Sequence, residues 1–173
     1  MLVNLTDIFT SENKTETYEI PYEHESISIQ NMQIQIAKKT PLSLIVKNNG
    51  IGKAVLQGNM SLELILLCDR CLKEVNKSFD LSFSYEVVSP EYTTGNETEE
   101  LDFIQGYHLN TDDLIYSEML LNWPMKILCR KDCKGICRIC GKDLNTGACG
   151  CDTFVPSPGL AGIKEIFNAN KEV

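Results

Sequence analysis

From Ile27 onward the chain alternates apolar and polar residues through much of its first half. Met32, Ile34 and Ile36 alternate with Gln33 and Gln35, Leu42, Leu44 and Val46 continue the pattern, and Met60, Leu62, Leu64 and Leu66 repeat it around Ser61 and Glu63. A period of two sends successive side chains to opposite faces of a pleated strand, so each segment predicts a strand with one buried face. The last of them is expected to become buried on both faces near Ile65 and Leu67. Asn48-Asn49-Gly50 divides two of these runs, and Asn-Gly predicts a hairpin with a tight primed turn. Tyr18, Ile20 and Tyr22 alternate in an earlier strand, where Pro21 restricts it to a sheet edge. Residues 1–26 are otherwise acidic and loosely patterned.

After Cys68-Asp69-Arg70-Cys71 the period resumes with Phe79, Leu81, Phe83, Tyr85 and Val87, so the two cysteines fall where the chain must reverse. Residues 89–102 are acidic, poor in aliphatics and rich in Thr and Glu, which predicts a mobile loop. Asn110-Thr111-Asp112-Asp113 is a helix start with acids in its first turn. Leu114, Ile115, Met119, Leu120 and Trp123 supply the apolar face of a helix at about 112–122, which Pro124 ends. The expected fold class is therefore α+β, a mainly antiparallel β-sheet body with one or two helices, followed by a cysteine-rich zinc-binding module. The body spans 1–124 and the module 125–155. Residues 156–173 form a C-terminal tail in which a helix remains an open alternative.

Length and hydropathy bound the class. The 173 residues, 43% of them hydrophobic, suit one domain with a small appended module. The start lacks a basic segment followed by an apolar run, and the longest apolar stretch, Leu64 to Cys68, is far too short to span a bilayer. We read a soluble cytoplasmic protein with no membrane partner. In a reducing compartment eight cysteines are expected to bind metal rather than pair as disulfides.

Their spacing supports that expectation. Cys129, Cys133, Cys137, Cys140, Cys149 and Cys151 lie within 23 positions, and Cys68 and Cys71 stand 58 or more residues upstream. A C-x2-C turn lets two thiolates reach one ion, and structural Zn²⁺ takes four ligands, so eight thiols can make two structural zinc sites. In the local partition Cys137, Cys140, Cys149 and Cys151 share one ion, and Cys68, Cys71, Cys129 and Cys133 share the other. In the crossed partition the two C-x2-C knuckles pair with each other. The local one costs less loop closure, and Gly141, Gly147 and Gly150 allow its turns. One filled site with the other thiols free is a further alternative, and Cys133-x3-Cys137-x2-Cys140 also has the spacing that holds a [4Fe–4S] cluster in radical S-adenosylmethionine enzymes. A set made only of cysteines leaves no open coordination position for hydrolysis, and the sequence shows no Ser/His/Asp set, phosphate loop or paired carboxylates. We expect no enzyme and no small-molecule substrate. His24 and His108 have no ligand pattern and are assigned to no site.

Charge is segregated. The whole chain is −8, but residues 126–142 carry Lys126, Arg130, Lys131, Lys134, Arg138 and Lys142 against Asp132, a local +5 that leaves −13 elsewhere. Arg130, Lys131, Lys134, Arg138 and Lys142 are the candidate RNA-binding residues, since phosphate affinity comes from such cations. A solvated face on a small zinc module is the alternative.

Taken together, Cys68-Asp69-Arg70-Cys71-Leu72 and the later run Cys129, Arg130, Asp132, Cys133, Lys134, Gly135, Cys137, Cys140, Gly141, Leu144, Asn145, Cys149 and Cys151 resemble the YceD family, the large ribosomal RNA subunit accumulation proteins of bacteria. The resemblance covers about residues 30–155. Arg138 stands where the family more often has Pro, and Ser157-Pro158-Gly159 replaces a more usual Asp-Pro-Arg. What it implies is a non-enzymatic role in 23S rRNA accumulation and large-subunit biogenesis, with 23S rRNA or large-subunit components as partners. The alternative is a protein-interaction module that binds a basic ribosomal protein without touching RNA.

Overall fold

The computed structural model describes residues 1–92 and 101–151. In chain order the elements are β1 (Leu2–Asn4), α1 (Thr6–Thr10), β2 (Thr15–Ile20), β3 (Ser26–Ile29), β4 (Met32–Lys39), β5 (Leu42–Asn48), β6 (Lys53–Leu67), β7 (Glu74–Val88), β8 (Ile104–Gln105), β9 (His108–Asn110) and α2 (Thr111–Leu121). All strand pairs among them are antiparallel. The fold is α+β and mostly sheet, as the alternation predicts. No helix among the described residues is long and apolar enough to cross a membrane.

The chain falls into two compact units. The first comprises Met1–Leu67 and Glu74–Ile127; the second joins Cys68–Lys73 to the chain from Leu128 onward. In the first unit β6 is the axis of a six-stranded sheet. One edge pairs with β7 along its whole length, and the other pairs with β5 and then β4. β2 lies at the edge beside β5 and ends at Ile20, because Pro21 has no N–H to continue the ladder. Tyr22 therefore lies outside the strand.

Even-numbered residues of β6 and odd-numbered residues of β7 share the buried face. Met60 opposes Leu81 and Leu62 opposes Phe79 there, Leu56, Leu64 and Phe83 lie on the same face, and all are nearly inaccessible. Each such side chain contributes about 1.5–3 kcal/mol by leaving water. Gly58 sits in this layer because a Cβ would come within 2.5 Å of the Phe83 ring and 2.9 Å of the Ser43 carbonyl. The layer is completed by Ile8 and Phe9 of α1, Leu109 of β9, and Leu114, Ile115 and Met119 of α2.

Several expectations change. Ile65 is half-buried and Leu67 is 55% exposed, so β6 keeps one wet face to its end. The β5–β6 connection is a four-residue loop, 49–52, rather than a two-residue primed turn. Gly50 and Gly52 take the positive φ values, and buried Asn48 accepts from the Gly50 N–H at 3.0 Å while donating to the Ile8 carbonyl at 2.8 Å. The helix runs from Thr111 to Leu121 with Asn110 as its cap, its side chain accepting from Asp112 N at 3.1 Å. Leu120 faces solvent, and Glu118 takes a buried position in its stead, accepting from the Tyr85 hydroxyl. Trp123 lies past the helix and stacks on Phe79 at 5.5 Å. At the start of the acidic loop, Ser89 is buried and bonds to the Gly52 carbonyl at 2.8 Å. The expectation of a mobile loop at 93–100, and that of a helix in the tail 156–173, fall outside the described residues.

Candidate metal centres

The second unit is built on two copies of one turn. In Cys68-Asp69-Arg70-Cys71-Leu72-Lys73, Cys68 N donates to Lys73 O at 2.8 Å and Leu72 N donates to Cys68 O at 2.9 Å. In Cys137-Arg138-Ile139-Cys140-Gly141-Lys142, Cys137 N donates to Lys142 O at 2.8 Å and Gly141 N donates to Cys137 O at 2.9 Å. The fifth residue of each turn is left-handed, Leu72 at φ 59° and Gly141 at φ 72°. In each, the amides two and three residues after the first cysteine point at its sulfur. For the second turn the Ile139 N to Cys137 Sγ distance is 3.4 Å.

These turns bring the eight thiols into two groups. Cys68, Cys71, Cys129 and Cys133 form one and Cys137, Cys140, Cys149 and Cys151 the other, with all sulfurs of a group within 4.8 Å of one another. This is the local partition. Cys133 is separated from Cys137 and Cys140, so the three cysteines with iron–sulfur spacing do not share a group.

In the first group Cys68 and Cys133 Sγ lie 3.8 Å apart, and Cys71 and Cys129 Sγ 3.6 Å. A disulfide would need about 2.05 Å. A tetrahedron with metal–sulfur bonds of about 2.3 Å has edges of about 3.8 Å, so this sulfur set fits a Zn²⁺-sized ion.

The thiols respond to this crowding. Burial raises Cys68, but the amides of Cys129, Arg70 and Cys71 outweigh it and hold the thiol at about 6. The amides of Cys140 and Ile139 likewise bring Cys137 to about 6. Hydrogen bonding to Cys133, with burial, pushes Cys129 up to about 12. Contact with Cys140 and Cys149 does the same to Cys151. Four sulfurs in contact resist ionising together unless a cation sits among them.

The segments around the sulfurs are tied by specific contacts. Arg70 Nη1 donates to Cys133 O at 2.6 Å, and Ile136 N donates to Arg70 O at 3.1 Å. Gly135, at φ 79°, allows this approach, since a Cβ would lie 2.9 Å from the Arg70 oxygen. Lys73 pairs with Asp143 at 2.6 Å, which holds the Asp143 carboxyl at about 2. Asn145 N and Nδ2 both donate to Asp143 Oδ1, at 2.8 and 2.7 Å.

The five cations singled out in the sequence divide. Arg130 donates to Asn145 Oδ1 at 2.9 Å and pairs with Asp132 at 3.4 Å, and Lys142 Nζ donates to Ala148 O at 2.9 Å. Lys131, Lys134 and Arg138 are exposed, and their side chains have no partner among the described residues. His24 lies 3.5 Å from Asp112 and joins neither cysteine group, nor does His108. Asp143 carries no signal in the sequence motif, and Asn145, which the cysteine spacing does not mark, was legible only as part of the wider motif.

Across residues 56–167 the chain matches the family model described as large ribosomal RNA subunit accumulation protein YceD. That range holds all eight cysteines. No curated protein and no solved structure matches the chain.

Proposed function

The chain belongs to the YceD family, described as large ribosomal RNA subunit accumulation proteins, and we propose that it is a non-enzymatic, zinc-bearing factor of large-subunit biogenesis that contacts 23S rRNA in the cytoplasm. The observation that carries the reading is the division of all eight thiols into two four-sulfur groups, with three exposed cations on the turns around them that have no partner among the described residues. Cys68, Cys71, Cys129 and Cys133 hold one Zn²⁺, and Cys137, Cys140, Cys149 and Cys151 the other. Bound zinc supplies rigidity there, not reactivity, because sulfur takes every coordination position.

Charge refines which cations touch RNA. The described part of the second unit carries Arg70, Lys73, Arg130, Lys131, Lys134, Arg138 and Lys142 against Asp69, Asp132 and Asp143, a net +4 with the thiols neutral. Four thiolates around a divalent ion leave two negative charges, so two filled sites bring the module to about zero. Arg130 and Lys142 are also occupied in holding loops. RNA contact therefore rests on Lys131, Lys134 and Arg138 as local phosphate ligands rather than on a net positive field.

The second reading draws on the first unit, whose sequence carries 18 acids against 7 bases. That surface attracts a basic ribosomal protein, with no RNA contact at all. Binding to 23S rRNA fragments at several salt concentrations, for wild type and for K131Q/K134Q/R138Q, separates the two. We expect the triple variant to lose about two units of the log affinity against log salt slope while keeping its metal. Equal slopes favour the protein partner.

A further inference from the structure

The two cysteine groups are joined by one side chain. Asn145 lies between Cys140 and Cys149, inside the loop that the second group closes, yet its Nδ2 donates to the sulfur of Cys133 in the first group at 3.5 Å. Its Oδ1 accepts from Lys134 N at 2.8 Å and from Arg130 Nη2 at 2.9 Å, both next to ligands of the first group. Asn145 is fixed from behind by Asp143, itself paired with Lys73 of the first turn. The backbone agrees: Ile136 bridges Asp143, and Leu144 N donates to Gly135 O at 2.9 Å. The loop that closes the second group thus forms one wall of the first.

We infer that Asn145 is a positioning residue that makes the two cysteine centres fill with metal cooperatively, by donating from the loop of the Cys137–Cys140–Cys149–Cys151 group to the Cys133 sulfur of the other. The inference rests on the metal reading above. Without an ion in the second group its four sulfurs no longer clamp the two ends of the 141–148 loop. The loop then rests on the Lys73–Asp143 pair and the Gly135 and Ile136 backbone contacts, and the amide donor is held less firmly on Cys133. A thiolate that loses such a donor holds its metal less well, and outer hydrogen bonds of this kind are worth about 10- to 100-fold in metal affinity. Reciprocity requires the first group to strengthen the second by the same factor.

Cobalt(II) serves as the probe, because its thiolate charge-transfer band counts sulfur-bound sites in the full chain. We expect the C149S/C151S variant to bind one equivalent at the first group, about 10- to 100-fold more weakly than wild type. N145A is expected to weaken the first group by a similar factor and to abolish the further effect of C149S/C151S. N145D keeps the oxygen contacts of Asn145 to Lys134 and Arg130 but replaces the N–H donor with a carboxylate oxygen beside Asp143 and the Cys133 sulfur, so it should weaken the first group at least as much as N145A and likewise abolish the coupling. First-group affinity unchanged in C149S/C151S, or coupling that survives N145D, overturns the inference and leaves two independent metal sites. Absence of any thiolate–cobalt band in wild type removes the metal reading as well.

Discussion

Leu72 and Gly141 occupy the same place in two copies of one turn, each left-handed, each donating its N–H to the carbonyl of the cysteine four residues earlier at 2.9 Å. Only one of them is the residue the geometry favours. A left-handed backbone brings Cβ close to the carbonyl and costs a side-chain-bearing residue about 1–2 kcal/mol. Leu72 is also 59% exposed, so packing does little to offset that cost.

The pair therefore predicts an asymmetry. L72G exchanges backbone strain for unfolded-state freedom worth about 0.5–1 kcal/mol, and its thermal midpoint should stay near wild type. G141V introduces strain with no gain and should lose about 1–2 kcal/mol or more. Scanning calorimetry of the two variants side by side checks this. A large loss for L72G would mean that the exposed leucine is held by something beyond the turn.

In the first unit, Tyr85 donates its hydroxyl to Glu118, which is 3% exposed. Y85F leaves that carboxylate without this donor, and a buried group that loses one costs about 1–3 kcal/mol. Urea denaturation followed by β-sheet circular dichroism should show the loss with metal content unchanged.

Gly58 faces Phe83 too closely for any side chain. G58A forces the ring or the strand to shift, at about 1–3 kcal/mol, and G58A combined with F83L should recover part of it. Additive losses in the double variant would place the cost in the backbone rather than at the ring.

Much of the sheet was legible because its signal is strictly local. One buried face gives a period of two, and Leu42, Leu44, Val46, Met60, Leu62 and Leu64 carry it without interruption. The grouping of Cys137 with Cys140, Cys149 and Cys151 was legible for a related reason, since the short loop between them is cheap to close. What escaped the sequence depends on distant partners. β1, β8 and β9 are two or three residues long, too short to show a period, and exist because Val3 pairs with Leu109 and Ile104 pairs with Leu109 in turn. Glu118 on the buried face of α2 makes sense only opposite Tyr85. The roles of Arg130 and Lys142 could not be read from charge, because Asn145 and the Ala148 carbonyl, which engage them, meet them only after the thiols have gathered.

The cysteine groups also set where stability resides. No described residue of the second unit belongs to the apolar core, and its buried apolar side chains are cysteines. A module with no such core depends on its ions, which contribute on the order of 10–16 kcal/mol in small zinc peptides. Chelation should therefore unfold the second unit, seen as loss of dispersed amide resonances from residues 129–151, while the β-type circular dichroism of the first unit persists. Loss of the sheet signal together with those resonances would show that the first unit depends on the ions too.

The central claim, two four-thiolate zinc centres in one chain, is tested most directly by counting metal. Native mass spectrometry and elemental analysis of full-length protein purified without chelator should give about two zinc ions per chain and no stoichiometric iron. C68S/C71S should lower the count by one, as should C137S/C140S, and the four-fold variant should bind none. A wild-type count of zero, stoichiometric iron, or both ions lost on changing either pair at saturating zinc would contradict it.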